Sequence, residues 1–380
     1  MNVFFSAGEA SGDAYAGALT TEMKRLNKTS DGGEPIALTF MGIGGKRFQA
    51  AGGTIVADSS QWGAVSILES LKVVPRVLGS YYRAKRFIRS QPPGLLIAID
   101  FGYVNIRLSR HAKNMGWKVL YFAPPSSWRR DKQGKDLPKI TDAIATPFSW
   151  SADLLNAAGA NAHWFGHPIC QLLKDRNVGR APATSERIAI LPGSRTHEIE
   201  QNLPLLAATL REPAEFALAP SVDLDRFQSE WARLTHGRQD DKFTQGDVYG
   251  VLTRCRAAVV CSGTATLEAA LCRCPMVVIY KMPKVAEFEA KIVRFKLPEF
   301  ISLPNILLQR RVVPELVQTE ATPDNLRREL DKVLNDGAAR QAQLVAFDDL
   351  ESLLGPDDAI TQSAQLALDI GIAAFGITAG

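Results

Sequence analysis

The sequence predicts an α/β protein with two Rossmann-like, doubly wound domains in series facing a cleft, and three observations predict it. The first is length: 380 residues exceed one average domain and fit two of ordinary size. The second is rhythm, because short apolar runs alternate with amphipathic stretches, the pattern of a parallel sheet flanked by helices. The third is that this rhythm stops and restarts. From Asp175 to Glu186 the chain turns polar and loop-like around Gly179 and Pro182 and reads as a linker.

In the first half, Asn2–Ser6, Ile36–Phe40, Leu95–Ile99, Val119–Phe122 and Ala143–Ala145 read as buried strands. Asp13–Leu26, Arg76–Arg89 and Tyr103–Met115 read as helices. The second half opens with Arg187–Leu191, continues through Ala257–Cys261 and Met276–Tyr280, and ends in the helical patterns Asp324–Leu334 and Ala338–Leu354. The expected boundaries are therefore residues 1–174, 187–354 and a helical tail over 355–380. The tail either packs back on the first domain or pairs with another copy, so a homodimer is one arrangement it allows.

With 46% hydrophobic and 22% charged residues the chain should fold compactly, and a net charge of +4 is too small to argue for nucleic acid. The positive charge is concentrated locally. Lys72, Arg76, Arg83, Lys85, Arg86 and Arg89 are interleaved with Val73, Val74, Val77, Leu78, Tyr81, Tyr82, Phe87 and Ile88. Such a helix either turns a solvated basic face outward from the core or lies on an anionic membrane surface. The N-terminus lacks the charged start of a signal peptide, and Ala364 to Ala379 is interrupted by Asp369 and too short to span a bilayer, so a cytoplasmic protein is expected. Cys170, Cys255, Cys261, Cys272 and Cys274 lack zinc spacing and read as buried or free thiols.

In open α/β sheets ligands bind beyond the carboxyl ends of strands, which singles out five segments. Ser6 to Asp13 follows the first strand, where Gly8 and Gly12 allow a tight turn and close backbone approach, and where Asp13 also reads as a helix cap. Asp100 ends the apolar run Leu95–Ile99; a carboxylate there is costly unless it faces a cleft or is hydrogen-bonded, making it a candidate general base or a cap for the next helix. Leu191-Pro192-Gly193-Ser194-Arg195 sets a glycine turn and a guanidinium at a helix start, an arrangement suited to a diphosphate. Ser262, Gly263 and Thr264 repeat the strand, small-residue turn, helix pattern, and Glu268 one turn on can accept hydrogen bonds from ribose hydroxyls. Asn305, after Pro304, reads on its own as a turn residue.

Other chemistries are disfavoured. No Gly-x-Gly-x-x-Gly appears and no acidic residue ends the second apolar run, where Met41-Gly42-Ile43-Gly44-Gly45 follows instead, so a nicotinamide dinucleotide is not expected. There is no Asp-x-Asp triplet, Gly-x-x-x-x-Gly-Lys-Ser/Thr loop or Gly-x-Ser-x-Gly elbow. The five histidines are scattered, with only His163 and His167 at close spacing, so no metal is expected.

Taken together, these blocks resemble the lipid A disaccharide synthase family of two-Rossmann-domain (GT-B type) glycosyltransferases. The resemblance runs in order through Gly8 to Asp13, Met41 to Gly45, Asp100 to Asn105, Gly166-His167-Pro168, Leu191 to Arg195, Ser262 to Glu268, Pro275 to Met282 and Ser302 to Asn305. It implies a transferase that joins UDP-2,3-diacylglucosamine to 2,3-diacylglucosamine 1-phosphate, inverts the anomeric centre and releases UDP at the inner membrane surface, without cofactor or metal. It implies Asp100 as catalytic base and Arg195 at the UDP phosphates, with Glu9, Ser11, Asn305 and Gln318 on family-typical positions. The chain departs from the pattern on the acceptor side. Gly102-Tyr103-Val104-Asn105 stands where the family has Pro-Asp-Phe-Asn, and Ala123 to Arg130 and Ala145 to Ser149 also differ. Another UDP-N-acetylglucosamine-using transferase or epimerase, or a sugar-nucleotide-binding relative without activity, would share the same donor-side residues.

Overall fold

A computed structural model describes residues 1–29, 35–59, 62, 67–125, 134–176, 178, 185–282 and 298–376. Trp128-Arg129-Arg130, most of the Asp175–Glu186 linker and the last four residues of the tail lie outside them. The chain divides into two compact units, the second containing Leu173–Leu353 and the first containing Met1–Ala64, Leu68–Leu172 and the residues from Leu354 onward.

The first unit is built on seven parallel strands: β1 (Asn2–Ala7), β2 (Thr39–Gly44), β3 (Thr54–Asp58), β4 (Leu95–Ile99), β5 (Lys118–Phe122), β6 (Ala143–Thr146) and β7 (Ala162–Trp164). Their order is β3-β2-β1-β4-β5-β6-β7. Successive side chains of a strand point to opposite faces, so Phe4 packs with Leu96, Trp117 and Val119 on one side while Phe5 packs with Phe48, Ile97 and Phe122 on the other. Both faces are covered, which is why these strands read as continuous apolar runs. The helix Ala359–Phe375 supplies Ile360, Ala364, Ala367 and Leu368 to the Phe5 side, so the C-terminal helix packs back on the first unit. Gln171 Oε1 accepts from the N–H groups of Ile360 (2.7 Å) and Thr361 (2.9 Å), capping that helix.

The second unit carries β8 (Ser185–Leu191), β9 (Ala214–Leu218), β10 (Lys242–Gln245), β11 (Cys255–Cys261), β12 (Met276–Tyr280) and β13 (Glu315–Val317), ordered β10-β9-β8-β11-β12-β13 and again parallel. Phe216 is at the centre of one cluster, against Phe227, Trp231 and Phe243.

The run expected as strand Ile36–Phe40 is displaced toward the C-terminus. Met41 to Gly44, expected to follow the strand, forms the body of β2, and only glycine fits at position 42, because a Cβ there would stand 2.0 Å from the Phe5 carbonyl oxygen in β1. Glycine there serves close strand approach. The first helix spans Glu9–Thr29, four residues earlier than its apolar period indicated, so Gly12 is helical and only Gly8 turns. Asp13 caps a different helix: its carboxylate accepts from the N–H groups of Gly45 (2.6 Å), Arg47 (2.9 Å) and Phe48 (3.1 Å) at the start of Lys46–Ala50.

Candidate active site

In each sheet the strand order reverses at one place, where crossovers leave in opposite directions and open a crevice beyond the strand ends. That place is between β1 and β4 in the first unit and between β8 and β11 in the second. The segments that follow those four strands are Gly8 to Gly12, Asp100 to Asn105, Pro192 to Arg195 and Ser262 to Glu268. Four of the five segments read from the sequence therefore meet pairwise, two at each switch point.

At the first switch point the chain leaves β4 through two consecutive left-handed residues, Asp100 (φ 46°) and Phe101 (φ 43°). Such a conformation costs a non-glycine residue about 1 to 3 kcal/mol and persists only where the surroundings over-determine it. Here they do. Asn105, fully buried, reaches with Nδ2 the carbonyl oxygens of Ile99 (2.8 Å), Asp100 (2.9 Å) and Ser6 (3.1 Å), and its Oδ1 accepts from Ser6 Oγ at 2.6 Å. Tyr121 Oη donates to the Asp100 carbonyl at 2.8 Å, and Asp100 N–H donates to Phe122 O at 3.1 Å. The ends of β1, β4 and β5 are thus tied to one peptide, and the Asp100 side chain is exposed beyond them. Burial pushes the Tyr121 phenol well above its ordinary value, and the negative charge of Asp100 adds to the shift. Gly8 allows this turn, because a Cβ there would stand 2.7 Å from the Phe101 ring, itself packed on Trp62 with centroids 5.2 Å apart. Ser11 is half-buried in the first turn of its helix, and the Glu9 side chain lies outside the described residues.

The second switch point has two helix starts of different character. At Thr196–Thr209 a carboxylate already occupies the approach: Glu198 Oε2 accepts from the backbone of Ser194 (2.9 Å) and Arg195 (3.2 Å), and its Oε1 accepts from Arg195 Nη1 at 2.9 Å. Glu198, at the third helical position, reaching back to the N-cap N–H of Arg195 is the glutamate half of a capping box, while the arginine side chain has no acceptor and supplies no cap of its own. Glu198 thereby fixes the Arg195 guanidinium, whose side chain keeps a third of its surface exposed. The Thr264–Leu271 helix has no side-chain cap; its N-cap Gly263 has open space where a Cβ would stand, and Gly263 and Thr264 are both exposed. That start, not the one beside Arg195, is the one able to meet an anion with backbone N–H groups.

Ser262 Oγ donates to Ile301 O at 2.8 Å and so anchors the turn. Glu268, half-buried, accepts from Tyr249 Oη at 2.9 Å. Asn305 is placed differently from the others. Its side chain is fully buried, with Nδ2 on Val313 O and Glu315 Oε1 (both 2.9 Å) and Oδ1 accepting from Val312 and Val313. It shapes the Ile301 to Val313 segment and offers no amide to a ligand. Gln318, at left-handed φ 51°, accepts from Met282 N–H at 2.7 Å and ties the ends of β12 and β13 together. Burial pushes the thiols of Cys255 and Cys261 up to about 12, so neither acts as a nucleophile near neutral pH. Among the described residues no group of three His, Cys, Asp or Glu side chains is gathered as metal ligands, and no helix is long and apolar enough to cross a membrane.

The basic helix spans Ile67–Ser90, with the side chains of Lys72 and Val73 outside the described residues. Val77, Ala84 and Ile88 face the core, yet Val74, Leu78 and Tyr82 form a second, exposed apolar line at four-residue spacing, flanked by exposed Arg83, Arg86 and Arg89.

The model of the family described as lipid-A-disaccharide synthetase matches residues 3–369. Among similar curated proteins are the lipid-A-disaccharide synthases of Geobacter sulfurreducens, 31% identical with 97% of both chains covered, and Anaeromyxobacter dehalogenans, 30% identical with the same coverage. Solved structures with a similar fold include the UDP-GlcNAc 2-epimerase of Neisseria meningitidis bound to UDP-GlcNAc (TM-score 0.61, 9% identity, 97% of this chain and 100% of that one). Another is MurG of Acinetobacter baumannii (TM-score 0.52, 14% identity, 97% and 99%). At these identities the two structures bear on fold alone.

Proposed function

The chain belongs to the lipid-A-disaccharide synthetase family, and on that premise we propose that it joins UDP-2,3-diacylglucosamine to 2,3-diacylglucosamine 1-phosphate with inversion and release of UDP. The observation that carries the reading is the pairwise meeting of the family's blocks at the two switch points, an acid at one and a guanidinium beside an uncapped helix start at the other.

In this mechanism Asp100 takes the proton from the acceptor hydroxyl as that oxygen attacks the anomeric carbon opposite UDP. Arg195 and the N–H groups at the start of Thr264–Leu271 receive the charge that develops on the leaving diphosphate. Glu268 accepts from the ribose, and Gly8, Glu9, Ser11 and Gly12 border the acceptor side. The mechanism needs no cofactor beyond the donor. The exposed line Val74, Leu78, Tyr82 with Arg83, Arg86 and Arg89 suits an anionic bilayer, from which both acylated substrates would be drawn, and supports peripheral attachment to the inner membrane.

The test is incubation of the purified protein with both acylated sugars. Formation of UDP and an acylated disaccharide is expected; equal turnover of plain UDP-N-acetylglucosamine, or UDP binding without product, would contradict it.

A further inference from the structure

Side chains of the helix Thr264–Leu271 lean toward its N-terminus, so the Glu268 carboxylate is carried back toward the start at which the diphosphate is proposed to bind. From Thr264 to Glu268 the helix rises about 6 Å, close to the span between the inner phosphate of a nucleoside diphosphate and its 2′ and 3′ hydroxyls. The direction of that carboxylate is set from a neighbouring helix. Val248–Arg254 begins beyond the carboxyl end of β10, on the same edge of the parallel sheet, and Tyr249 is in its first turn. Tyr249 is only 6% exposed, and its Oη donates to Glu268 Oε1 at 2.9 Å. The backbone that carries the phenol is pinned: Asp247 Oδ1 accepts from Gly250 N–H at 3.1 Å, and Thr253 Oγ1 donates to the Tyr249 carbonyl oxygen at 2.9 Å. The Arg176 guanidinium covers one face of the ring, 4.9 Å from its centre. A buried ring held in this way presents its hydroxyl as a fixed donor. A carboxylate accepts at both oxygens, with about four lone-pair sites, so the bond to Tyr249 orients the group without exhausting its capacity.

We propose that Tyr249 is a positioning residue that turns the Glu268 carboxylate onto the ribose hydroxyls and thereby makes the donor site select a ribonucleotide over a deoxyribonucleotide. The inference rests on the function proposed above, in which Glu268 accepts from the ribose. A glutamate free to rotate loses rotamer freedom when a ligand orders it, and that loss weakens binding. One already oriented by a buried hydroxyl avoids the loss, and the gain appears only with a ligand that has hydroxyls to donate. A nucleotide without them leaves a desolvated carboxylate short of donors, so the same fixed geometry acts against it.

The test is titration calorimetry with UDP and 2′,3′-dideoxy-UDP on wild type, Tyr249→Phe and Glu268→Ala, beside steady-state kinetics for wild type and Tyr249→Phe. Wild type should prefer UDP about 10- to 100-fold, as expected for hydrogen bonds to a charged group. Tyr249→Phe keeps the ring and removes only the hydroxyl. It should cut that preference about 5- to 10-fold by weakening UDP alone, raise the donor KM in proportion and leave kcat within about twofold. Equal weakening of both nucleotides, or an unchanged preference, would reduce the bond to a structural tie between two helices and overturn the proposal. A wild type without preference, or a Glu268→Ala variant that keeps it, overturns the ribose role of Glu268 as well. Preference lost in Glu268→Ala yet intact in Tyr249→Phe overturns this inference alone.

Discussion

The Asn105 amide lies 2.9 Å from the carbonyl oxygen of Asp100, holding from beneath the peptide whose carboxylate stands exposed above it. Asp100 and Phe101 both adopt left-handed backbone, so the direction of the carboxylate depends on the bonds that pin its own peptide. The same amide reaches β1 through Ser6, which links the two strands of the switch point. Asn105→Ala removes all of this without touching the acid. We expect kcat to fall about 100-fold, because small misplacements of a catalytic group cost that much. UDP affinity, which the proposed function places on the second unit, should stay within about twofold; titration calorimetry beside steady-state kinetics reads both.

Arg195 is oriented by Glu198 at 2.9 Å and is proposed to meet the diphosphate. Arg195→Ala should weaken UDP binding about 10- to 100-fold, as expected for loss of hydrogen bonds to a charged group, while uridine binding stays unchanged. A comparable loss for uridine would mean that the substitution disturbs the fold of the loop and not a phosphate contact.

His167 predicts a pH dependence of stability. Its ring is buried against Phe148, its Nδ1 accepts from the Ile169 N–H at 3.2 Å, and burial lowers its pKa from the ordinary 6.5 to about 4. The folded state thus binds the proton less readily than the unfolded one. The associated stability is fully present above pH 6.5, declines as pH falls from about 6.5 to about 4, and levels off below; roughly 3 kcal/mol is at stake. Denaturant titrations of wild type and His167→Gln across that window should show a shallower decline in the variant. Parallel curves would exclude His167 as a source of the acid sensitivity.

Much of this was legible in the sequence because both sheets are buried on both faces. Leu95–Ile99 and Met276–Tyr280 read directly as strands, and the segments after β1, β4, β8 and β11 marked the ligand side. Edge and short strands were not legible: β3, β7, β10 and β13 are brief and partly polar, so their apolar signal is weak, and the buried β9 (AEFAL) is interrupted by Glu215, which pairs with Arg254. Gly42 hid a strand because the reason for glycine was the neighbouring strand, a long-range fact. Asn105 and Asn305 look alike in sequence, each near a turn. Their work is to satisfy backbone groups brought together only by the fold, and nothing local announces that.

The central claim is that Asp100 is the base for sugar transfer, and rapid-quench single-turnover measurement on Asp100→Asn tests it most directly. The amide keeps size and shape but cannot take a proton, so the rate of disaccharide formation should fall about 100- to 10,000-fold, with UDP affinity unchanged. A variant that forms disaccharide at a rate near wild type would contradict it.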